Sequence, residues 1–500
     1  MLRRDDPFPQ TEFYGAWRWI QLGTEHTWGY MMPENALAKK IEATKASYFE
    51  NAAKAGKELL AKSVQPIVKS GGDTIAVLNT LSWKRAGLVT LPAGGSGLKD
   101  HAGKAVPTQK LSTGETVFLA EDVPAFGSQA YHVDRSQRSD GTDPTSPRAT
   151  ASTLENRIVK VMLDPQTGDI TSLVDKRSSH EFVNSNSPYA VNSFRYLRGG
   201  DAPDKASGPT DVRISIQEHG PVVTSLRVES KAEGCNRLTR EIRLIAGQQH
   251  VEIFDTVYKI ATRNKEGIHF AFAFNIPGGT AQMDIPWGVM NPVTDQLPGA
   301  NKNWLAFQRW MDVSNDKAGV TWVGLEAAIF QFGDITANLL GAVPLQAWSR
   351  KLGDTSTIIS WALNNHWHTN FPLEQEGVIP FHYAILLHGG YDVVVANRFG
   401  LEQNRPLVAV SAASNPVTAP VLAVNNPLVF VSTLKPADDG KAVILRLRSL
   451  SDKAEAVELI WPARRPKSIR HCLADEEPRE SATGSLTLQP YGLETLHLEW

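Results

Sequence analysis

Cysteine is almost missing from this chain of 500 residues, where only Cys235 and Cys472 occur. The two could pair, but two cysteines cannot staple a small secreted fold, so a disulfide scaffold is excluded. No apolar run is long enough to span a bilayer, and no block of one charge sign is present. With 51 basic against 53 acidic residues, the net charge of -2 offers nothing to line a nucleic-acid channel or a polybasic membrane patch. The opening MLRRDDPFPQ puts acid and proline where the apolar part of a secretory signal would stand, so a cytoplasmic setting is expected. Signature motifs are missing as well. There is no G-x-S-x-G elbow, P-loop, G-x-G-x-x-G after a strand, or H-E-x-x-H.

What is present describes a globular chain, with 42% hydrophobic and 21% charged residues. Five hundred residues exceed what one core serves, which predicts two to four domains. Residues 34 to 66 place Leu37, Ile41, Tyr48, Ala52, Leu59, Leu60 and Val64 at helical spacing, with lysines and glutamates between them. Gly71 and Gly72 close that segment. A one-sided helix of about 45 to 50 Å needs neighbours to cover its stripe. Upstream, only the stretch around Phe13, Trp17 and Ile20 is available, so residues 1–72 read as an incomplete helical layer.

From residue 74 the pattern becomes short β runs separated by turn residues. Ile75–Asn79, Gly87–Leu91 and Thr116–Leu119 give a small β domain over 73–135, and the polar stretch 134–150 reads as a linker. Residues 150–404 carry many strand-like runs with no alternating helices, which predicts a large antiparallel sandwich. Within it, Val159–Leu163 and Ile170–Val174 flank a glycine-containing loop and predict a hairpin. Residues 405–500 add strands enough for a terminal β-sandwich. The expected fold is mainly β, with a helical remnant at its start.

Two clusters concentrate side chains capable of chemistry. Thr24-Glu25-His26-Thr27-Trp28-Gly29 precedes the long helix. His26 could ligate a metal, with Glu25 as its partner, or could simply hydrogen-bond at a helix junction. Asn364-Asn365-His366-Trp367-His368-Thr369-Asn370-Phe371 is the second. In an extended segment His366 and His368 share a face, where they could clamp a metal. The same amides, imidazoles and indole also suit sugar hydroxyls and a stacked pyranose. A polar strand end is the plain alternative. The 13 tryptophans admit both uses, sugar stacking and core packing. No acid stands in a context that marks a nucleophile.

Several segments carry a family likeness. "AWRWIQLGTEHTWGY", "YFENAAKAG", "VLNTLSWKRAGLVTLP", "VMLDPQTGDITSLVDK", "ALNNHWHTNFPLEQEGVIPFHYAI" and "LQPYGLETLHLEW" resemble, in family order, segments of glycoside hydrolase family 38, the α-mannosidases. The resemblance implies a helical bundle, a small β domain, a mutarotase-like supersandwich and a terminal β-sandwich. It implies a retaining, zinc-dependent hydrolase acting on α-mannosides. It makes His26 a zinc ligand and assigns substrate contacts to Trp28, Asn365, His368 and Asn370. The other zinc ligands and the nucleophile would lie on an N-terminal catalytic α/β domain, or a separate subunit, with no counterpart in this sequence, so the chain alone is expected to be inactive. A non-catalytic carbohydrate-binding or scaffolding sandwich is the alternative. An enzyme working from the supersandwich itself ranks third.

Overall fold

The computed structural model describes residues 8–25, 34–68, 72–92, 97–134, 146–336, 349–366, 372–412, 420–438 and 440–500. Helix α1 spans Gln10–Thr24 and helix α2 spans Ala36–Val64. The Asn35 side chain caps α2 by accepting from Leu37 N at 2.8 Å, satisfying one of the amides that a helix start leaves unpaired. Pro66 then diverts the chain into a single 3-10 turn. The two helices form a hairpin, with Trp19 stacked on Tyr48 at 5.5 Å and Glu12 paired to Lys62 at 3.0 Å. Gly23 admits the Phe49 ring so closely that a methyl group there would lie 2.8 Å from it. Even so, only Gly23 and Ala38 are buried in these helices, and Trp17 stays 58% exposed. The expected deficit of covering partners is therefore present in the described residues.

The remainder is antiparallel sheet. Among the described residues one ten-stranded sheet runs, in spatial order, from Leu305–Ala306 through Ile329–Phe332, Thr357–Asn364, Glu266–Ala273, Val191–Arg198, Ile170–Asp175 and Val159–Leu163 to Arg148–Ala149. A nine-stranded sheet is built around Val223–Ala232, Cys235–Ile245, His250–Lys259 and Gly377–His388. Their facing sides hold one core that includes Phe270, Phe272, Trp322, Tyr383 and Ile253, all fully buried. Alternation along Glu266–Ala273 decides the faces, with Phe270 and Phe272 turned inward and His269, Ala271 and Ala273 outward. That strand is buried on both sides. The expected hairpin forms, with Val159 opposite Asp175 and Val161 opposite Leu173.

The expected boundary at residue 405 is corrected by strand pairing. Val408–Ala412 lies antiparallel to Thr74–Leu78, so the small β unit is completed by residues from beyond the supersandwich. Helix α3, Val393–Asn404, carries the chain there, capped by Asp392 accepting from Val394 N and Val395 N. A run of five residues does not announce in sequence which distant strand it will join. Most of the expected linker lies outside the described residues, but its end, Arg148–Ala149, pairs with Thr153–Glu155 as a sheet edge.

Charge is buried inside the sandwich. Arg240 projects between the sheets, fully enclosed, and donates to Asp169 Oδ1 at 2.8 Å, to Asn192 O at 2.9 Å and to Thr167 O. Asp169 also accepts from Ser193 Oγ at 2.6 Å. Asp255 stands directly opposite Arg240 in the ladder, yet the guanidinium is already engaged elsewhere. Asp255 Oδ1 accepts from Asn192 Nδ2 at 3.1 Å, and its Oδ2 has no partner among the described residues. Burial pushes the Asp255 carboxyl up to about 7, against the pull of Arg240.

The consequence for stability has a definite sign. A carboxyl whose folded-state pKa is raised favours the folded state only while protonated, so stability is lost as pH climbs from its unfolded value near 4 through about 7. Asp255→Asn is expected to remove that part of the pH dependence and to stabilise the protein at pH 8 by something on the order of a few kcal/mol. Urea unfolding at pH 5 and pH 8 measures it. Equal stability of the two proteins at pH 8 would contradict the assignment. Removing the partner instead, by Arg240→Met, leaves Asp169 buried and unpaired and is expected to destabilise by about 3–5 kcal/mol in the same assay.

Candidate functional site

The two clusters singled out in sequence are described only at their edges. Of the first, Glu25 is described, and its carboxylate pairs with Lys45 Nζ at 2.8 Å on α2. His26 and Trp28 lie outside the described residues. Of the second, Asn365 and His366 are described, while Trp367, His368 and Asn370 are not. Arg263 ties the flanks of both together. Its guanidinium pairs with Glu34, which follows the first cluster, and with Glu374 at 3.3 Å, which follows the second.

Asn365 anchors the second segment from within. Its amide nitrogen donates to Thr262 O at 3.1 Å, Asn264 O at 3.3 Å and Leu373 O at 2.5 Å, and its backbone N–H donates to Glu266 O at 2.8 Å. One amide therefore ties the strand end at Asn365 to Leu373 and to the residues preceding strand Glu266–Ala273. Its nitrogen is committed to backbone, and a sugar would be met by the neighbours that Asn365 positions.

His366 packs into the outer face of the ten-stranded sheet rather than facing solvent. Its ring lies 5.9 Å from Trp361, which is parallel to His269 at 6.4 Å and 5.7 Å from Trp304. A bulge puts them there: Ile268 pairs with Leu363 but His269 with Trp361. Gly267 keeps the space open, since a methyl group on it would lie 2.8 Å from His269 Nε2, 3.2 Å from His366 Nε2 and 3.5 Å from Trp361 Nε1. Sequence reasoning missed His269 because "EGIHFAFA" reads as an apolar strand; the glycine two residues before a lone histidine was the available signal.

The protons of this niche follow from its hydrogen bonds. Thr336 N donates to Gln331 Oε1 at 2.6 Å, which fixes the amide so that Nε2 faces His269 Nδ1 at 3.4 Å. Nδ1 is then the acceptor, and His269 carries its proton on Nε2, aimed into the niche. Burial lowers the His269 pKa to about 3, and burial together with the Lys265 charge lowers that of His366 to about 4. The niche is uncharged and lined by N–H donors, the reverse of what a cation requires. Among the described residues no three His, Cys, Asp or Glu side chains converge where a metal ion could sit.

The other buried acids are committed structurally. Asp312 accepts from Thr321 Oγ1 at 2.7 Å and from Ser314, and pairs with His388 at 2.8 Å. Asp284 pairs with Arg309 at 2.9 Å and Arg448 at 3.4 Å. Retaining hydrolysis needs a nucleophilic carboxylate and an acid about 5 Å apart across an open cleft, and these carboxylates, held by cations and hydroxyls in packed surroundings, are not disposed that way.

Comparison with known proteins fits this architecture. Residues 154–326 match the glycosyl hydrolases family 38 C-terminal domain, and residues 428–496 match the family 38 C-terminal beta sandwich domain. Two separate segments of the chain thus match the C-terminal domains of glycosyl hydrolase family 38. Its fold is similar to that of an alpha-mannosidase from Enterococcus faecalis V583, with a TM-score of 0.74 at 14% identity over 98% of this chain. A glycosyl hydrolase family 38 protein from Enterococcus faecalis gives a TM-score of 0.72, also at 14% identity over 98% of this chain. The chain spans 64% and 66% of the length of those two proteins. No curated protein matches the sequence.

The niche gives a direct expectation. Long-range nitrogen–proton spectra should show His269 as the neutral Nε2–H tautomer from pH 8 down to about pH 4, with His366 also uncharged at pH 5. A His269 resonance that titrates near 6.5, the ordinary histidine value, would show the niche open to water.

Proposed function

We propose that this chain supplies the sugar-contacting and docking portion of a retaining, zinc-dependent α-mannosidase-like glycoside hydrolase acting on α-mannosides. The observation that carries the reading is the pairing of Arg263 with Glu34 and Glu374, which follow the two clusters in the chain, together with helices whose apolar side chains are left uncovered. Trp28, His368 and Asn370 would contact the sugar, with Asn365 anchoring the start of the segment that carries His368 and Asn370. His26 would bring one ligand to zinc. A zinc site takes three or four protein ligands, and the described residues do not make one by themselves, so the remaining ligands and the nucleophile would come from an N-terminal catalytic domain or a separate subunit.

Exposed Tyr14, Trp17, Leu37 and Leu60 give that partner an apolar surface to cover. A cytoplasmic location is proposed on the two cysteines, which are buried and unpaired in a reducing-compatible state. No helix among the described residues is long and apolar enough to cross a membrane.

Purified chain is expected to hydrolyse no aryl α-mannoside above background, with or without zinc. Calorimetric titration should likewise find no tight one-to-one zinc binding, in the wild type or in the His26→Ala and His366→Ala/His368→Ala variants. Turnover on the order of 1 per second would place a complete active site within this chain and overturn the division proposed. Tight binding lost only in the double variant would move the metal to the 366–368 segment. Limited proteolysis should cut before about residue 74 and spare the β region; a protease-resistant helical pair would argue that nothing is missing from its surface.

A further inference from the structure

Among the described residues three turns hold a large aromatic residue where the backbone favours glycine; Phe126, at φ 44°, is buried in the core, and the other two are exposed. Ile285-Pro286-Trp287-Gly288 closes the hairpin between strands Thr280–Ile285 and Gly288–Met290, and Trp287 has φ 66°. Gln489-Pro490-Tyr491-Gly492 leads into the last strand, Leu493–Glu499. Tyr491 has φ 51°, and Gly492 N donates to Gln489 O at 2.7 Å. Proline second and a positive φ third define the type II turn, whose third position suits glycine or asparagine. A bulky aromatic there is strained, and such strain persists where the side chain has a use. Core packing is not that use, since Trp287 is 59% and Tyr491 37% exposed.

Both turns are pinned to consecutive residues of one strand, Val443–Ser449. The buried Arg448 guanidinium donates to Gly288 O at 2.9 Å, and Ser449 N donates to Gly492 O at 2.9 Å. Both turns are therefore anchored to the same end of one strand, where the supersandwich meets the terminal sandwich. The Tyr491 phenol is raised by burial and then by the exposed carboxylates of Asp452 and Asp295.

Flat exposed rings beside carboxylate acceptors match the C–H faces and hydroxyls of a pyranose. The same carboxylates repel anionic ligands and would be desolvated without a partner under an apolar protein surface. We propose that Trp287 and Tyr491 form a preorganised platform for a neutral pyranose glycan. The proposal stands whether or not the chain serves an α-mannosidase; that reading guides only the choice of mannan as a probe.

The test is native affinity electrophoresis of the full chain through gels containing soluble mannan or dextran, with polygalacturonate as the anionic control. At least one neutral polymer should retard the wild type. Trp287→Gly or Tyr491→Gly should weaken retardation about tenfold, the effect of losing one stacking anchor. Because glycine relieves the turn, melting temperatures of both variants should be unchanged or higher, which separates lost binding from lost folding. Undiminished retardation in both variants, or retardation by neither neutral polymer, would overturn the proposal. So would loss of retardation in Asn365→Ala/His368→Ala/Asn370→Ala with none in the turn variants, which would assign the sugar to those residues.

Discussion

The supersandwich depends on one enclosed guanidinium. Arg240 rises from the nine-stranded sheet and is held by Asp169, Asn192 O and Thr167 O from the ten-stranded sheet. Apolar contact between sheets is non-directional and permits them to slide, whereas a charge with three fixed acceptors does not. Desolvating that charge is expensive, so the pair contributes specificity of packing more than net stability. Its geometry also accounts for Gly168. The residue has φ 71°, and a methyl group on it would lie 2.5 Å from the Arg240 guanidinium. With Arg240 drawn to that hairpin, Asp255 is left opposite with a single amide donor, and its carboxyl is forced toward the neutral form.

Fixing the sheets fixes what lies on the outer face. The bulge at Ile268/His269 sets the phase of Glu266–Ala273 against Thr357–Asn364, bringing His269 beside Trp361. A one-residue slip would turn both rings into the phenylalanine core. Asn365 then follows at the strand end, where its amide gathers three carbonyls from two loops. Asn365 thus holds Leu373 and the residues before Glu266 to a strand end whose position the core determines.

Much of this was legible in the residues. The apolar spacing from Leu37 to Val64 produced a helix over Ala36–Val64, and the pattern around Asp164–Asp169 produced the hairpin. Those signals are local, carried by periods of 3.6 and 2 and by turn chemistry. What escaped was non-local. Val408–Ala412 gave no sign that it would return to Thr74–Leu78, and His269 gave no sign that its partner would be Gln331. In sequence His366 could clamp a metal with His368, meet a sugar, or end a polar strand; the structure encloses it against Trp361. Residue type alone could not decide this, because a histidine's role depends on which neighbour sets its tautomer.

The two ends of the chain show opposite ways of keeping a surface available. The helical hairpin leaves Trp17 and Leu60 in solvent without strain, as a surface completed by another body would. The turns at Trp287 and Tyr491 hold their rings out against backbone preference, with Arg448 and Ser449 anchoring them. Uncovered apolar area destabilises nothing once a partner binds, and its natural occupant is protein. A strained turn carries its penalty permanently, so it suits a ligand that comes and goes and must find the rings already in place. On that physical distinction the two proposals divide the work: the helices would serve assembly and the turns recognition, both built on the sandwich that Arg240 holds in register.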